Sequence, residues 1–162
     1  MSEVLIKSIG VIKTPFNKKE GMPIQPTGAK GIKAIIEMHP QYVDGLNDLA
    51  GFSHIILIYH FHKSNGYSFR TKPFMDDQMR GVFATRAPRR PNPIGISLVK
   101  LNKIENNIIH IENIDVLNDT PLFDIKPYIP GVDDVLDVQL GWLEGKTDEM
   151  KIKKSDKRFN NE

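Results

Sequence analysis

A basic, proline-rich segment contains the residue types best suited to bind an anion. Residues 81–97 read GVFATRAPRRPNPIGIS, and from Arg80 to Lys100 there are five cations and no acidic residue. Arginine binds planar anions through paired hydrogen bonds. Prolines restrict the backbone, which lowers the entropy lost when such groups are held in place. The pattern favours a loop that binds a polyanion or a carboxylate, and equally a proline-stiffened surface loop.

Three carboxylates close together in the sequence are candidates for a general base. They are Asp115, Asp119 and Asp124. A carboxylate can accept a proton from a reacting group that lies within hydrogen-bond reach. Aspartates are also frequent at the ends of loops, where they stabilise turns. Their spacing by itself therefore leaves both roles open.

Three histidines form a candidate metal site. His54, His60 and His62 have the same parity in a stretch predicted to be a strand, so their side chains are expected on one face. Two imidazoles on one face can share a metal that a carboxylate completes, whereas histidines in a core bond backbone groups instead. The chain has no cysteine and no HExxH motif, and we therefore expect no metal.

The absence of certain residues and motifs excludes several function classes. Without cysteine there is no disulfide framework, thiolate nucleophile, cysteine-ligated zinc or iron–sulfur cluster. The sequence contains neither GxGxxG nor a P-loop motif. A nucleotide-like cofactor is therefore not expected to bind in the usual nucleotide-binding way.

Hydrophobic alternation and β-branched residues predict a mainly β protein. We expect about seven strands, over residues 4–12, 31–37, 53–62, 81–85, 94–102, 108–113 and 122–125. One short helix is predicted over 40–49, and 134–142 is ambiguous between strand and helix. Because strands and helices do not alternate regularly, the pattern argues against a doubly wound α/β fold and favours an antiparallel barrel or sandwich.

Composition and charge are those of an ordinary globular protein. The chain has 162 residues, of which 40% are hydrophobic and 26% charged, with a formal net charge of +2. The longest strongly apolar run, residues 55–59, is too short to span a bilayer, and the first residues lack the apolar core of a secretory signal. We expect a cytoplasmic protein with one domain over 1–144 and a polar, flexible tail over 145–162.

Three blocks of the sequence are similar to one known family. Residues 51–63 read GFSHIILIYHFHK, residues 83–95 read FATRAPRRPNPIG, and residues 117–130 read LNDTPLFDIKPYIP. They resemble the TsaA-like family of tRNA N6-adenosine methyltransferases, over about residues 4–142. The family's D-G-T-P motif is altered here to Asn118-Asp119-Thr120-Pro121, which replaces a carboxylate by an amide and a glycine by an acid.

The resemblance implies a fold, a cofactor and a substrate. The fold is a small antiparallel β-barrel with one or two short helices, which acts as a homodimer and uses S-adenosylmethionine. The substrate is threonylcarbamoyl-adenosine at position 37 of tRNA, which receives a methyl group on N6. The implied cofactor contacts are Pro23, Ile24, Gln25, His62, Lys63, Arg86, Leu98, Asn118, Asp119, Thr120 and Pro121. No membrane partner is expected.

Methyl transfer to a weakly basic nitrogen assigns roles to further residues. The nitrogen must lose a proton, and Asp124, with Tyr128 as the second candidate, is expected to orient or remove it. The threonyl carboxylate needs cations. The expected substrate-binding residues are Arg89, Arg90, Asn92 and Lys126. Aromatic residues of the irregular 64–79 loop are expected to stack on the target base.

Three alternative functions stay open on the sequence. The chain can be a non-catalytic RNA- or nucleotide-binding barrel, in which the altered turn at 118–119 marks lost catalysis. It can be a methyltransferase that acts on another small substrate. It can also be a metal-dependent enzyme that uses the three histidines. Cofactor binding separates both methyltransferase functions from the other two.

Overall fold

A computed structural model of the protein describes residues 2–159. The strands are, in chain order, β1 (Gly10–Lys13), β2 (Lys33–Met38), β3 (His54–His60), β4 (Arg70–Thr71), β5 (Arg80–Gly81), β6 (Ile94–Glu105), β7 (Ile108–Glu112) and β8 (Thr120–Pro127). The α-helix α1 (Thr147–Met150) follows, and 3-10 turns lie at Pro26–Ala29, Pro40–Leu46, Leu49–Gly51, Val82–Ala84, Gly141–Leu143 and Lys157–Phe159. In this part of the chain, none of the helices has the length and apolar character that crossing a membrane requires.

Six of the strands form a closed antiparallel barrel in the order β1-β2-β7-β6-β3-β8. The barrel closes where β1 pairs with both β2 and β8, and β4 and β5 form a separate two-stranded ribbon. Closure removes the unpaired edges that an open sheet presents. The predicted fold class, a mainly β antiparallel barrel with very little helix, is confirmed.

Alternation of inward and outward residues builds the barrel core. Along β3 the residues Ile55, Leu57 and Tyr59 are buried, while the positions between them face outward. The same alternation along β6 buries every second residue from Gly95 to Leu101. Each fully buried aliphatic side chain contributes roughly 2 kcal/mol through the apolar surface that it removes from water. The paired strands β3 and β6 therefore form a well-packed wall of the barrel.

Gly95 permits a close approach between β6 and the aromatic residues at the end of β3. A methyl group at this position would lie 2.3 Å from the ring of Tyr59 and 2.8 Å from that of Phe61. The two rings meet edge to face, with 5.6 Å between their centroids. Any side chain at position 95 would displace them. Glycine is required here by the available space.

Several predicted elements differ from the structure in type or extent. The predicted helix at 40–49 forms 3-10 turns, because the segment is short and Gly45 disfavours an α-helix. The predicted strand at 81–85 contains only the last residue of β5 and continues as a 3-10 turn. The strand predicted from residue 4 begins at Gly10, where pairing with β2 and β8 becomes available.

The C-terminal segment makes tertiary contacts that its polar composition did not predict. Within the predicted flexible tail, 145–162, the structure places α1 and pairs Lys154 with Pro23. The backbone N–H of Ser155 donates to the carbonyl of Met22 at 2.7 Å. Residues 160–162 of the predicted tail lie outside the described residues. Local composition carries no information on such long-range partners.

Candidate functional site

A cavity of about 280 Å³ lies where the end of β3 meets the first residues of β6 and β8. Its other walls come from the loop after β1, the proline-rich loop before β6, the segment between β7 and β8, and the C-terminal segment. Met22, Ile24, Phe61 and Val116 give it apolar surface, and polar side chains reach it from several walls. This combination is typical of a site for a small organic molecule.

Three side chains form a hydrogen-bonded chain that ends at the cavity. The Ser97 hydroxyl donates to Oδ1 of Asp115 at 2.7 Å, so it accepts from the Tyr59 hydroxyl at 3.0 Å. Tyr59 and Asp115 both line the cavity. Removal from water raises the pKa of Asp115 to about 6 and also raises the pKa of Tyr59. Asp115 is thus a carboxylate that exchanges its proton close to neutral pH.

His62 lines the cavity and has a buried ring nitrogen without a partner. The Thr120 hydroxyl donates its one hydrogen to the Leu117 carbonyl at 2.7 Å. In its 3.4 Å contact with Nδ1 of His62 the hydroxyl therefore accepts, which places the ring proton on Nδ1. Nε2 is then an acceptor, and it has no hydrogen-bond partner among the described residues. Burial, with the nearby charge of Lys63, lowers the pKa of His62, so the ring is neutral. An unpaired buried acceptor is unfavourable until a ligand supplies a donor.

Arg86 and Gln25 join the cavity to a wider groove. Nη1 of Arg86 donates to Oε1 of Gln25 at 3.1 Å, and both residues line the cavity and an adjoining groove of about 1040 Å³. The aromatic side chains of Phe83, Tyr128 and Trp142 line this groove. A small ligand in the cavity and a large ligand in the groove would therefore meet beside Arg86.

The family model of the tRNA-methyltransferase O N-terminal domain matches residues 11–134. The chain belongs to this family. A probable S-adenosyl-L-methionine-binding protein of Pyrococcus abyssi is 45% identical over 96% of this chain and 85% of its own length. The tRNA (adenine(37)-N6)-methyltransferase of Homo sapiens is 35% identical over 80% of this chain and 31% of its own length. The crystal structure of TrmO from Pseudomonas aeruginosa matches with a TM-score of 0.74 and 35% identity, over 87% of this chain and 63% of that one.

Most of the cofactor contacts predicted for this TrmO-family chain come together at the cavity. Those in its lining are Pro23, Ile24, Gln25, His62, Lys63, Arg86 and Thr120. Leu98 lies on the outer face of β6 and lines the groove. Among the described residues, Asn118, Asp119 and Pro121 are not part of the cavity lining. The structure therefore separates the predicted contacts into a main group at the cavity and four residues outside it.

The altered TrmO-family motif forms a well-bonded turn in this chain. Oδ1 of Asn118 accepts the backbone N–H of Thr14 at 3.0 Å, and Asp119 pairs with Nζ of Lys13 at 2.5 Å. Asp119 has a φ of 63°, in the left-handed region that glycine adopts most easily and that aspartate tolerates. The hydrogen bond from Lys13 lowers the pKa of Asp119. The turn thus accepts aspartate at the glycine position, with its carboxylate ionised and bound to Lys13.

The arginines predicted to bind substrate brace loops of the protein. Nη1 of Arg90 donates to three backbone carbonyls in the 82–87 turn, at 2.8 to 3.2 Å. Nε of Arg89 donates to the Asn65 carbonyl at 3.2 Å, and Asn92 is exposed. Prolines have no N–H to donate, so the carbonyls of a proline-rich loop need another donor. Arg90 supplies that donor, a role that its charge alone did not reveal.

The two predicted catalytic residues lie apart from the cavity lining. Asp124 is the neighbour of Ile58, an outward-facing position of β3, and forms an ion pair with Lys126 at 2.8 Å. Tyr128 lines the groove. Of the three carboxylates that the sequence offered as a general base, Asp115 is the one in the cavity lining.

Tyr59 and Ser97 are site residues that sequence reasoning missed. The sequence held one signal: Ser97 is a polar residue at an inward position of β6, where the other inward residues are apolar or glycine. In the structure Ser97 is only 2% exposed. A buried hydroxyl requires a hydrogen-bond partner. The partners here are Tyr59 and Asp115, which no local pattern brings together.

The three histidines do not come together as a metal site. His54 and His60 are on the outer face of β3, where His54 bonds Ser53 and His60 stacks on Phe123. His62 lies beyond the end of the strand, so strand alternation no longer sets its direction. Within residues 2–159 there is no group of three side chains able to hold a metal ion. The metal-dependent alternative therefore lacks a ligand set in the described structure.

Proposed function

We propose that this protein transfers the methyl group of S-adenosylmethionine to N6 of adenosine 37 in tRNA, with threonylcarbamoyl-adenosine as the acceptor. The observation that carries the proposal is a cavity that combines an unpaired buried acceptor on His62 with a partly buried carboxylate, Asp115, in a chain of the tRNA-methyltransferase O family. The names of similar proteins, one for binding this cofactor and one for methylating adenine 37 of tRNA, support the same reaction here.

The residues of the cavity fit S-adenosylmethionine. Nε2 of His62 can accept a hydrogen bond from an amino or hydroxyl group, and Gln25, held by Arg86, is a second polar group in the wall. Ile24 and Phe61 offer apolar surface to the uncharged parts of the molecule. When bound, S-adenosylmethionine supplies an electrophilic methyl group on a sulfonium. The chain therefore offers both the polar anchors and the apolar walls that such a cofactor needs.

We assign the role of proton acceptor to Asp115. The N6 nitrogen is weakly basic because its lone pair is delocalised, so it must lose a proton as its new bond to carbon forms. With a pKa of about 6, Asp115 is ionised at neutral pH and can take that proton. Ser97, backed by Tyr59, holds one oxygen of the carboxylate in place. Because the pKa lies below 7, the proton then passes to solvent and the carboxylate is regenerated.

We place the RNA in the groove beside Arg86. A base in an RNA loop can be turned out and stacked on aromatic side chains. The groove provides Phe83, which is 75% exposed, together with Tyr128 and Trp142. Arg86, at the junction of groove and cavity, is a suitable cation for the threonyl carboxylate. The net charge of +2 predicts modest and salt-sensitive RNA binding.

We further propose that the protein acts as a homodimer in the cytoplasm, the compartment of its tRNA substrate. Ile94, Ile96 and Leu98 form an exposed apolar row on the outer face of β6, and such rows are typical of protein interfaces. Because members of this row also line the cavity and the groove, an interface here would border the site. Asp124 and Lys126 lie on the same outer side of the barrel, across β3. Since they are outside the cavity of their own chain, they can serve the reaction at the site of a second copy.

Methyl transfer from labelled S-adenosylmethionine to tRNA tests the reaction directly. Two tRNA samples, with and without threonylcarbamoyl-adenosine, are incubated with the protein, and the nucleosides are identified by mass spectrometry. We expect one added methyl group on threonylcarbamoyl-adenosine and none on unmodified adenosine. If the protein binds the cofactor but transfers no methyl group, the acceptor is another small substrate. If it does neither, the non-catalytic RNA- or nucleotide-binding barrel is correct.

A further inference from the structure

The C-terminal strap, defined as residues 153–158, forms part of the cavity wall although it lies beyond the family match. Ser155 and Asp156 line the cavity together with Lys19 and Met22. The family model ends at residue 134. The strap therefore contributes to the site from beyond the family match, and the reaction described above assigns it no role.

Ser155 joins the strap to the loop that carries predicted cofactor contacts. The N–H of Gly21 donates to the Ser155 carbonyl at 2.9 Å, and the N–H of Ser155 donates to the Met22 carbonyl at 2.7 Å. The Ser155 hydroxyl accepts from the N–H of Met22 at 3.1 Å and donates to the Lys19 carbonyl. Four hydrogen bonds thus hold residues 19–22, directly before the predicted contacts at 23–25.

Arg158 anchors the other end of the strap. Its Nη1 donates to the Pro73 carbonyl, and its guanidinium lies 5.2 Å from the centre of the Phe74 ring. Its Nε and Nη2 donate to the carboxylate of Asp156, at 2.9 and 2.8 Å. Phe74 is itself a lining residue of the cavity. The strap therefore ties together two parts of the cavity wall that are far apart in the sequence.

We propose that the strap sets the affinity of the cavity for S-adenosylmethionine, with Ser155 as a positioning residue that holds the 19–25 loop in its binding conformation. The inference rests on the proposed function, because it concerns the same cofactor. A loop that is ordered before binding loses less conformational entropy when the ligand arrives. The Ser155 hydroxyl forms hydrogen bonds to backbone atoms of the loop. Removal of the hydroxyl therefore weakens binding of the cofactor and leaves the chemical step intact.

Calorimetric titration of the full chain with S-adenosylmethionine tests the inference, using Ser155→Ala and the matched control Ser8→Ala. The Ser8 hydroxyl also donates to a backbone carbonyl, that of Gly10 at 2.7 Å, but Ser8 is not among the cavity lining residues. Loss of two hydrogen bonds to the loop is expected to raise the Kd of Ser155→Ala about tenfold. The KM for the cofactor should rise in parallel, with kcat changed by less than about twofold. Ser8→Ala should bind as the wild type does.

The possible results distinguish a failure of the strap inference from a failure of the proposed function. If the wild type does not bind S-adenosylmethionine, the proposed function is wrong. If the wild type binds and Ser155→Ala binds equally well, the strap inference alone is wrong, and a fall in kcat at unchanged Kd also overturns it. Arg158→Gln, which releases the distal anchor, provides a second variant should Ser155→Ala fail to fold. Trypsin cleavage after Lys18 or Lys19 should be faster in either variant than in the wild type, and equal cleavage rates would contradict an ordering role.

Discussion

At one end of the wall formed by β3 and β6, polar groups lie on the inner face and large apolar side chains are exposed on the outer face. Facing inward, Tyr59 and Ser97 connect to Asp115 through two hydrogen bonds. Facing outward, Ile96 and Leu98 are 54% and 39% exposed. Protein interiors are normally apolar, and large exposed apolar groups are normally scattered. Both exceptions occur on the same strand, which indicates that β6 serves function as well as stability.

Each exception depends on a partner of a different kind. A buried polar chain is stable when each member has a hydrogen bond, and Ser97 provides this for Asp115 within one chain. An exposed apolar row is stable when another surface covers it, which requires a second molecule. We therefore assign the inner face to chemistry and propose that the outer face, whose Ile96 also lines the cavity, serves association.

The largest effect is expected from Asp115→Asn. The amide still accepts a hydrogen bond from Ser97 but cannot take a proton, so kcat for methyl transfer should fall by roughly 100-fold or more. Asp124→Asn is the matched control from the outer side of the barrel, and its kcat should fall by less than about tenfold. Steady-state assays at saturating cofactor and tRNA measure both values of kcat. A larger fall in kcat for Asp124→Asn than for Asp115→Asn would show that the proton acceptor is Asp124, on the outer side of the barrel.

Disrupting the apolar row on the outer face of β6 should have the next largest effect, which is on the association of two copies. Ile96→Asp places a charge in the exposed apolar row of β6, so the Kd for dimer dissociation should rise by about 100-fold. Ile35→Asp on β2, separated from β6 by β7, is the matched control and should leave association unchanged. Sedimentation velocity over a concentration series gives both values. A monomeric wild type, or equal effects of the two variants, would contradict the assignment of this face.

The pH dependence of stability provides a further test of the inner face. Because burial raises the pKa of Asp115 from 3.8 to about 6, the folded state binds this proton more tightly than the unfolded state does. Between about pH 4 and pH 6 the free energy of unfolding should therefore fall as pH rises, by roughly 2 kcal/mol from this group. Asp115→Asn should lack this contribution. Urea unfolding across that pH range measures the difference, and parallel curves for the two proteins would show that Asp115 is not enclosed.

The smallest effect is expected at Asp119, a carboxylate that belongs to neither face. Its charge is bound to Lys13, and it is not among the cavity lining residues in the described structure. Asp119→Gly restores the family residue at a left-handed φ and should change the Kd for S-adenosylmethionine by less than about threefold. Calorimetric titration of the variant and the wild type with S-adenosylmethionine measures this change in Kd. Tighter binding by tenfold or more would show that the altered turn weakens the cofactor site.

Several strands of the barrel were predictable because buried and exposed residues alternate along them, whereas β8, whose alternation stops after Leu122, was predicted only over 122–125. The strand predicted at 53–62 contains all of β3, and that predicted at 108–113 contains all of β7. Helical turns were less predictable, since 3-10 and α segments place apolar residues at nearly the same spacing. Contacts of the C-terminal segment were not predictable at all, because Ser155 pairs with residues more than a hundred positions earlier.

By itself, the sequence determined the fold class, the family and the group of loop residues that meet at the cavity, because these follow from local alternation and from continuous motifs. Only the tertiary structure decided which of the candidate general bases lies at the cavity. Asp115 and Asp124 look equivalent along the chain, yet one bonds Ser97 beside the cavity and the other bonds Lys126 outside it. Burial and hydrogen-bond partners arise when the barrel closes, and they determine whether a carboxylate has a shifted pKa.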